Sequence, residues 1–274
     1  MASEITKQAY RVGDLVFHIS HSNAEFAGEI DKLLPHAVAA EESSVRDIKM
    51  GGSRDVKELI SYILERHAGF LWTAAACLVS PGGKKLLVSG RAQSGKSTAS
   101  LALALGFGWK VLSEDVTLFN PVTDQIVNLR VPFAVKSGTL EILRDSIAIA
   151  PEQLILNEWL PVHGLDADSN CDANIDFAVH LEFDPNAKSF DCQPLSLSQY
   201  LRKTLPTSNA VRINNGTDKF LKYLQNAGTY CFSAGSLVER LEKLAELTGV
   251  HSDVLCQQRS ASFSGDRDGD FVTH

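Results

Sequence analysis

The 274-residue chain has no C-x-x-C pair, no apolar run long enough to cross a bilayer and no excess of positive charge, and each absence removes a class of function. Its five cysteines (Cys77, Cys171, Cys192, Cys231 and Cys256) are scattered and odd in number. That pattern fits reduced, mostly buried thiols in a cytoplasmic protein better than a disulfide scaffold or a zinc site. The longest apolar stretch, from Gly69 to Ser80, is too short and too mixed to span a membrane, and the opening Met-Ala-Ser-Glu-Ile-Thr-Lys lacks the apolar core of a secretory signal. A net charge of −7 argues against a nucleic-acid surface or a polybasic membrane anchor. What remains is a soluble cytoplasmic enzyme, and 44% hydrophobic residues are ample for one large core.

Against that background one segment stands out. Gly90-Arg91-Ala92-Gln93-Ser94-Gly95-Lys96-Ser97 reads G-x-x-x-x-G-K-S, and a chance match in a chain of this length has a probability of roughly 1%. Lys84 to Ser89 before it suits a buried strand, and Ser97 to Leu105 after it suits a helix stopped by Gly106 and Gly108. Strand, loop and helix are therefore in the order a phosphate-binding loop needs. The two glycines let backbone N–H groups and the helix N-terminus surround phosphate oxygens, Lys96 adds a point charge for the β- and γ-phosphates, and the Ser97 hydroxyl is a magnesium ligand. The nucleotide contacts are expected from Gly90 through Ser97 and from Thr98.

The rest of the chain reads as an α/β protein in three parts. Residues 1–66 form an N-terminal α+β extension packed on the core, with β-like pieces from Tyr10 to Ile19, a loop or hairpin over 39–54 and a helix over 55–66. Residues 67–256 form the phosphate-loop domain, and 257–274 form a polar, disordered tail. Phe70 to Leu78 and Lys85 to Ser89 are predicted strands joined by the turn Ser80-Pro81-Gly82-Gly83. Trp109 to Phe119 reads as one strand with a hairpin return to Val127, and Phe177 to Phe183 as another. Helices are expected over 196–205, 219–225 and 236–247. The stripe Leu237, Val238, Leu241, Leu244 and Leu247 points the last of them at the core.

Glu114 and Asp115 end an apolar run eighteen residues after Lys96. In a right-handed crossover the returning strand ends on the same sheet edge as the phosphate loop, so both carboxylates should face the phosphates. One would hold magnesium and the other accept the proton of an attacking hydroxyl.

The order of these features resembles HPr kinase-like proteins, within the wider phosphoenolpyruvate-carboxykinase nucleotide-binding fold. It is carried by Leu71-Trp72-Thr73-Ala74-Ala75-Ala76, the glycine turn, the phosphate loop, the Ala/Leu helix, Leu112-Ser113-Glu114-Asp115-Val116 and Arg130-Val131-Pro132-Phe133-Ala134-Val135-Lys136. The resemblance implies ATP and Mg²⁺ at the loop, Ser97 and Glu114 toward the metal, and Asp115, Glu114 and Lys96 as the catalytic set. Either carboxylate could be the base. Arg130 and Lys136 would be weaker phosphate or substrate contacts, and homo-oligomers are known among relatives. The chain departs from the family pattern at Glu114, where Asp is common, and at Thr73, where many members have His. The function expected is transfer of the γ-phosphoryl group of ATP to a hydroxyl on a small molecule, peptide or protein, with no nucleic-acid or membrane partner. A regulatory nucleotide-binding module and a shikimate- or adenylate-kinase-like metabolite kinase are the alternatives. His163, His180 and His251 read as ordinary residues, and Asp166, Asp168, Asp172 and Asp176 as the acidic surface of a long loop.

Overall fold

The computed structural model describes residues 6–12, 15–21, 46–49, 69–127, 133–135, 137–146, 159–160, 171–182 and 189–249. Arg130, Lys136, the helix expected over 55–66 and the tail expected over 257–274 lie outside the described residues. The architecture is mixed α/β, and among the described residues no helix is long and apolar enough to cross a membrane.

Three strands, β1 (Thr6–Val12), β2 (Leu15–His21) and β3 (Arg46–Lys49), form a sheet of their own, in which β1 and β2 are antiparallel and β3 runs parallel to β2. The 39–54 segment therefore contributes a strand where the sequence suggests a loop or hairpin.

β4 (Leu71–Thr73) and β5 (Ala75–Val79) are consecutive but belong to different sheets. β6 (Lys85–Gly90) returns antiparallel to β5 through the turn at Ser80, where Gly83 N–H donates to the Ser80 carbonyl at 2.9 Å. The expected turn and return strand are present, but the strand expected over Phe70 to Leu78 is divided at Ala74 between two sheets. β7 (Lys110–Ser113) and β8 (Thr117–Asn120) divide the run expected as one strand. The break falls on Glu114 and Asp115, where the chain leaves one sheet for the other. β9 (Gln125–Val127) then pairs with β8 as the predicted return.

A six-stranded sheet holds the loop of residues 90–95. It also takes in β13 (Phe177–Glu182), β14 (Asp191–Pro194) and β15 (Gly228–Ser233), in the order β14-β15-β13-β6-β5-β7. β6, β13 and β15 are parallel, while β5 is antiparallel to both β6 and β7, so β7 runs in the direction of β6. The C-terminal ends of β6, β7, β13 and β15 consequently share one edge.

Both faces of this sheet are covered, which is why its strands read as continuous apolar runs. Leu86, Val88, Ala76, Leu78, Val111 and Val179 point to one side, against α1 (Lys96–Phe107), α2 (Ser137–Ser146) and α5 (Leu237–Thr248). Leu87, Ala75, Cys77, Leu112 and Ala178 point to the other, against α3 (Leu197–Thr204) and α4 (Gly216–Leu224). This second layer also holds a four-stranded sheet, β12-β9-β8-β4, with β12 at Cys171–Asp172. Phe133–Ala134 (β10) and Trp159–Leu160 (β11) pair separately.

Cys77 and Cys231 are buried and free, and Cys171 and Cys192 are free and half-buried. Burial pushes the Cys77 thiol up to about 12 and the Cys231 thiol up to about 11, so neither is a thiolate at neutral pH. Asp172 and Asp176 act as anchors rather than as loose surface acids. Asp172 takes the buried Lys85 ammonium at 2.5 Å, and Asp176 accepts from Lys84 Nζ and from the Lys85 backbone N–H, each at 2.9 Å.

Candidate functional site

Residues 90–98 come together as one loop and the first turn of α1. The loop is held in a conformation that needs its glycines. Gly90 has φ +150° and Gly95 φ +92°, and Gln93 takes a left-handed φ of +66°. A Cβ on Gly90 would meet the Leu181 carbonyl and the Ser94 hydroxyl, each at 2.5 Å.

α1 begins without a cap. Gly95 precedes it, no side chain accepts from its first amides, and its first turn carries no acid. The leading N–H groups of a helix have no intrahelical acceptor, and its N-terminus carries partial positive charge. Lys96 stands at this same terminus, where a cation is unfavourable. Its ammonium donates to the Gly90 carbonyl at 2.9 Å and the Arg91 carbonyl at 3.2 Å. Burial lowers the Lys96 pKa, while the charges of Asp115 and then Glu114 act in the opposite direction. An anion on the loop would therefore answer the helix amides and the lysine together.

Glu114 and Asp115 follow the end of β7, which is separated from β6 by β5 alone, and their charges act on Lys96. They are not equivalent. Glu114 is buried and Asp115 is exposed. Their turn is pinned from below, because Thr117 Oγ1 donates to the Ala75 carbonyl at 2.8 Å and so receives the Ser113 hydroxyl at 2.7 Å. Ser97 and Thr98 are half-exposed on the first turn of α1, and Thr98 Oγ1 lies 3.2 Å from Thr139 Oγ1 of α2. Thr73, at the junction of β4 and β5, has a buried hydroxyl with no hydrogen-bond partner.

No protein-family model and no curated protein matches the chain. Among solved structures, the Hpr(Ser) kinase/phosphatase from Coxiella burnetii is similar to it at 11% identity, covering 71% of this chain and 99% of that one with a TM-score of 0.27. A TM-score so low defines neither fold nor activity, so the chemistry has to be read from the residues themselves.

Two groups at the site were not singled out from the sequence. Arg240 of α5 is buried, and its guanidinium holds the loop by donating from Nη1 to the Ser94 carbonyl and from Nε to the Ala234 carbonyl, each at 3.0 Å. Among the described residues no carboxylate pairs with it. Burial lowers its pKa, yet a guanidinium stays charged throughout the working range. The signal was present in the sequence, since Arg240 occupies the i+3 position of the apolar stripe that begins at Leu237.

His180 is the second. It is the register partner of Ser89, and its Nδ1 lies 3.0 Å from Ser89 Oγ, which also receives the buried Tyr200 hydroxyl at 3.1 Å. Desolvation lowers the His180 pKa, which keeps the ring neutral at neutral pH. His180, expected as an ordinary strand residue, lies on β13 and lines a cavity of about 560 Å³ beside residues 90–94.

Proposed function

We propose that the chain is an α/β phosphotransferase of HPr kinase-like type that binds Mg·ATP at residues 90–98 and transfers the γ-phosphoryl group to a hydroxyl of a small molecule, peptide or protein. One observation carries the reading. An uncapped helix N-terminus, a glycine-hinged loop and a partly desolvated lysine converge on one sheet edge with two carboxylates at the end of the next strand of the same direction.

Phosphoryl transfer needs positioning and charge neutralisation more than covalent help from the protein. The loop amides and Lys96 would hold the β- and γ-phosphates. Ser97 and Glu114 supply oxygen donors suited to magnesium. Exposed Asp115 is the carboxylate an incoming hydroxyl can reach. The acceptor oxygen would bond to the γ-phosphorus, the bond from that phosphorus to the β–γ bridging oxygen would break, ADP would leave, and the hydroxyl proton would pass to Asp115.

Calorimetric titration with Mg·ATP tests the site. Micromolar binding is expected in the wild type and its loss in Lys96→Ala. Asp115→Asn should retain binding while basal hydrolysis of ATP falls by about 100-fold or more, the usual contribution of a general base. Binding without any turnover in the wild type would instead assign the chain to nucleotide sensing. Absence of binding would remove the proposal altogether.

A further inference from the structure

The cavity lies at the β13 side of the phosphate loop. It is lined by residues 90–94, by His180 and Glu182 from the end of β13, by Arg202 and Lys203 from α3, and by the turn at Thr207. That turn is fixed to the sheet, since Ala74 N–H donates to the Thr207 carbonyl at 2.8 Å. At about 560 Å³ the cavity has the size of a small-molecule site.

Its position decides what it can hold. From β13 to β7 the sheet crosses β6 and β5, three strand spacings or about 14 Å. An acceptor hydroxyl must sit in contact with the γ-phosphate and within hydrogen-bond reach of the base, and a group held against the β13 wall, at His180 and Glu182, stands those three spacings from the end of β7 that leads into Glu114 and Asp115. A triphosphate whose γ end faces those acids points its other end toward β13.

The lining fits that other end. Arg91 and Arg202 are exposed planar cations able to lie against an aromatic base. Glu182 is tied to Lys203 at 2.5 Å and offers a fixed carboxylate to hydroxyl or amine donors. His180 is 6% exposed, and its Nδ1 side is occupied by Ser89. Tyr200 donates to Ser89, so Ser89 has a single proton to give, with the Val179 carbonyl at 3.3 Å and His180 Nδ1 at 3.0 Å as its acceptors. Given to His180 Nδ1, that proton leaves the ring hydrogen on Nε2, as a donor at the cavity wall; given to Val179, it leaves Nε2 there as an acceptor.

We propose that this cavity is the nucleoside subsite of the phosphate-loop site, with His180 as its buried hydrogen-bonding residue and Arg91 and Arg202 flanking the base. The proposal rests on the loop being a triphosphate site. Two ligands separate the claims: Mg·ATP, and Mg·tripolyphosphate, which carries the same phosphates without a nucleoside. Each is titrated into the wild type, His180→Phe and the exposed-surface variant Arg202→Ala. The wild type should bind ATP more tightly than tripolyphosphate. Each variant should lose about tenfold or more in ATP affinity and hold its tripolyphosphate affinity within about twofold, which also shows that it is folded. Variants that bind ATP as the wild type does would overturn the subsite and leave the loop assignment standing. Equal weakening toward both ligands would overturn it too, because the cavity would then act on the phosphates. A wild type that binds neither ligand would overturn the loop assignment itself.

Discussion

Arg240→Met is the substitution for which binding should fall while stability stays nearly unchanged. Arg240 is 7% exposed, and its guanidinium donates to the Ser94 and Ala234 carbonyls and has no carboxylate partner among the described residues. Removing it leaves two carbonyls without their donor, at about 1–3 kcal/mol each. It also removes an unpaired buried charge, whose desolvation penalty is several kcal/mol. The two nearly cancel, so the unfolding free energy should change by no more than about 2 kcal/mol in either direction.

Binding has no such cancellation. A Cβ on Gly95 would stand 3.2 Å from Nη1, so a phosphate hydrogen-bonded to the loop amides falls within about 7 Å of the charge. At an effective dielectric of about 20 that separation gives about 2 kcal/mol per unit charge, or roughly 30-fold in affinity. The assay is urea unfolding together with titration of Mg·ATP and Mg·tripolyphosphate, both of which should weaken alike. Arg240→Lys keeps the charge without the fork and should recover part of the affinity. Affinity within threefold of the wild type in Arg240→Met, combined with a stability loss above about 4 kcal/mol, would show that Arg240 is a strut and refute the electrostatic argument.

Two further substitutions follow from the same geometry. Gly90→Ala adds a Cβ 2.5 Å from the Leu181 carbonyl at φ +150°; strain and overpacking together should cost about 2–5 kcal/mol in urea unfolding, whereas Gly82→Ala, whose nearest contact is 3.8 Å, should cost almost nothing, and equal effects would contradict the packing account. Asp124 accepts from Lys219 at 2.9 Å, Lys222 at 2.6 Å and Tyr223 at 2.8 Å, and these bonds hold its carboxyl well below the usual range. The stabilisation from a depressed carboxyl is complete above its unfolded pKa of about 4 and fades as pH falls toward the folded value. Asp124 is about a third exposed, so Asp124→Asn should cost only about 1 kcal/mol at pH 7. The gap to the wild type should narrow by pH 3, and a gap of constant size across that range would argue against the carboxylate's role.

The parts of the fold legible in the sequence were those written in local chemistry. The Ser80-Pro81-Gly82-Gly83 turn, the glycine-bounded loop and the capped helix at Ser196 each carry their instruction within a few residues, and each is present. The division of Trp109 to Phe119 was hidden because both halves are apolar. What separates them is a change of sheet at Glu114, fixed by a hydroxyl chain from Ser113 through Thr117 to Ala75. Asp172 and Asp176 looked like loose surface acids because their partners, Lys84 and Lys85, are about ninety residues earlier. His180 and Arg240 were missed for a related reason. Their roles come from Ser89 and Ser94, neighbours only after the parallel pairing of β13 with β6 and the return of α5 beneath the loop.

Several unfavourable features meet at this one edge: a left-handed Gln93, a helix terminus without a cap, a cation at that terminus, and a buried guanidinium without an acid among the described residues. Each alone would be a defect that tertiary structure must offset, by about 1–3 kcal/mol for the strained residue. Two other helices, α3 and α5, carry reciprocal Ser196–Gln199 and Ser236–Glu239 capping boxes, while α4 starts at Asn215 without a side-chain cap. The chain also pairs its buried lysine, with Asp172. A sequence that follows the local rules at those positions and breaks them together at residues 90–97 has its exceptions where a single ligand property, concentrated negative charge, would answer three of the four. Carboxyl ends of parallel strands are where open α/β sheets bind ligands, so the topology and the local exceptions point to the same place for independent reasons.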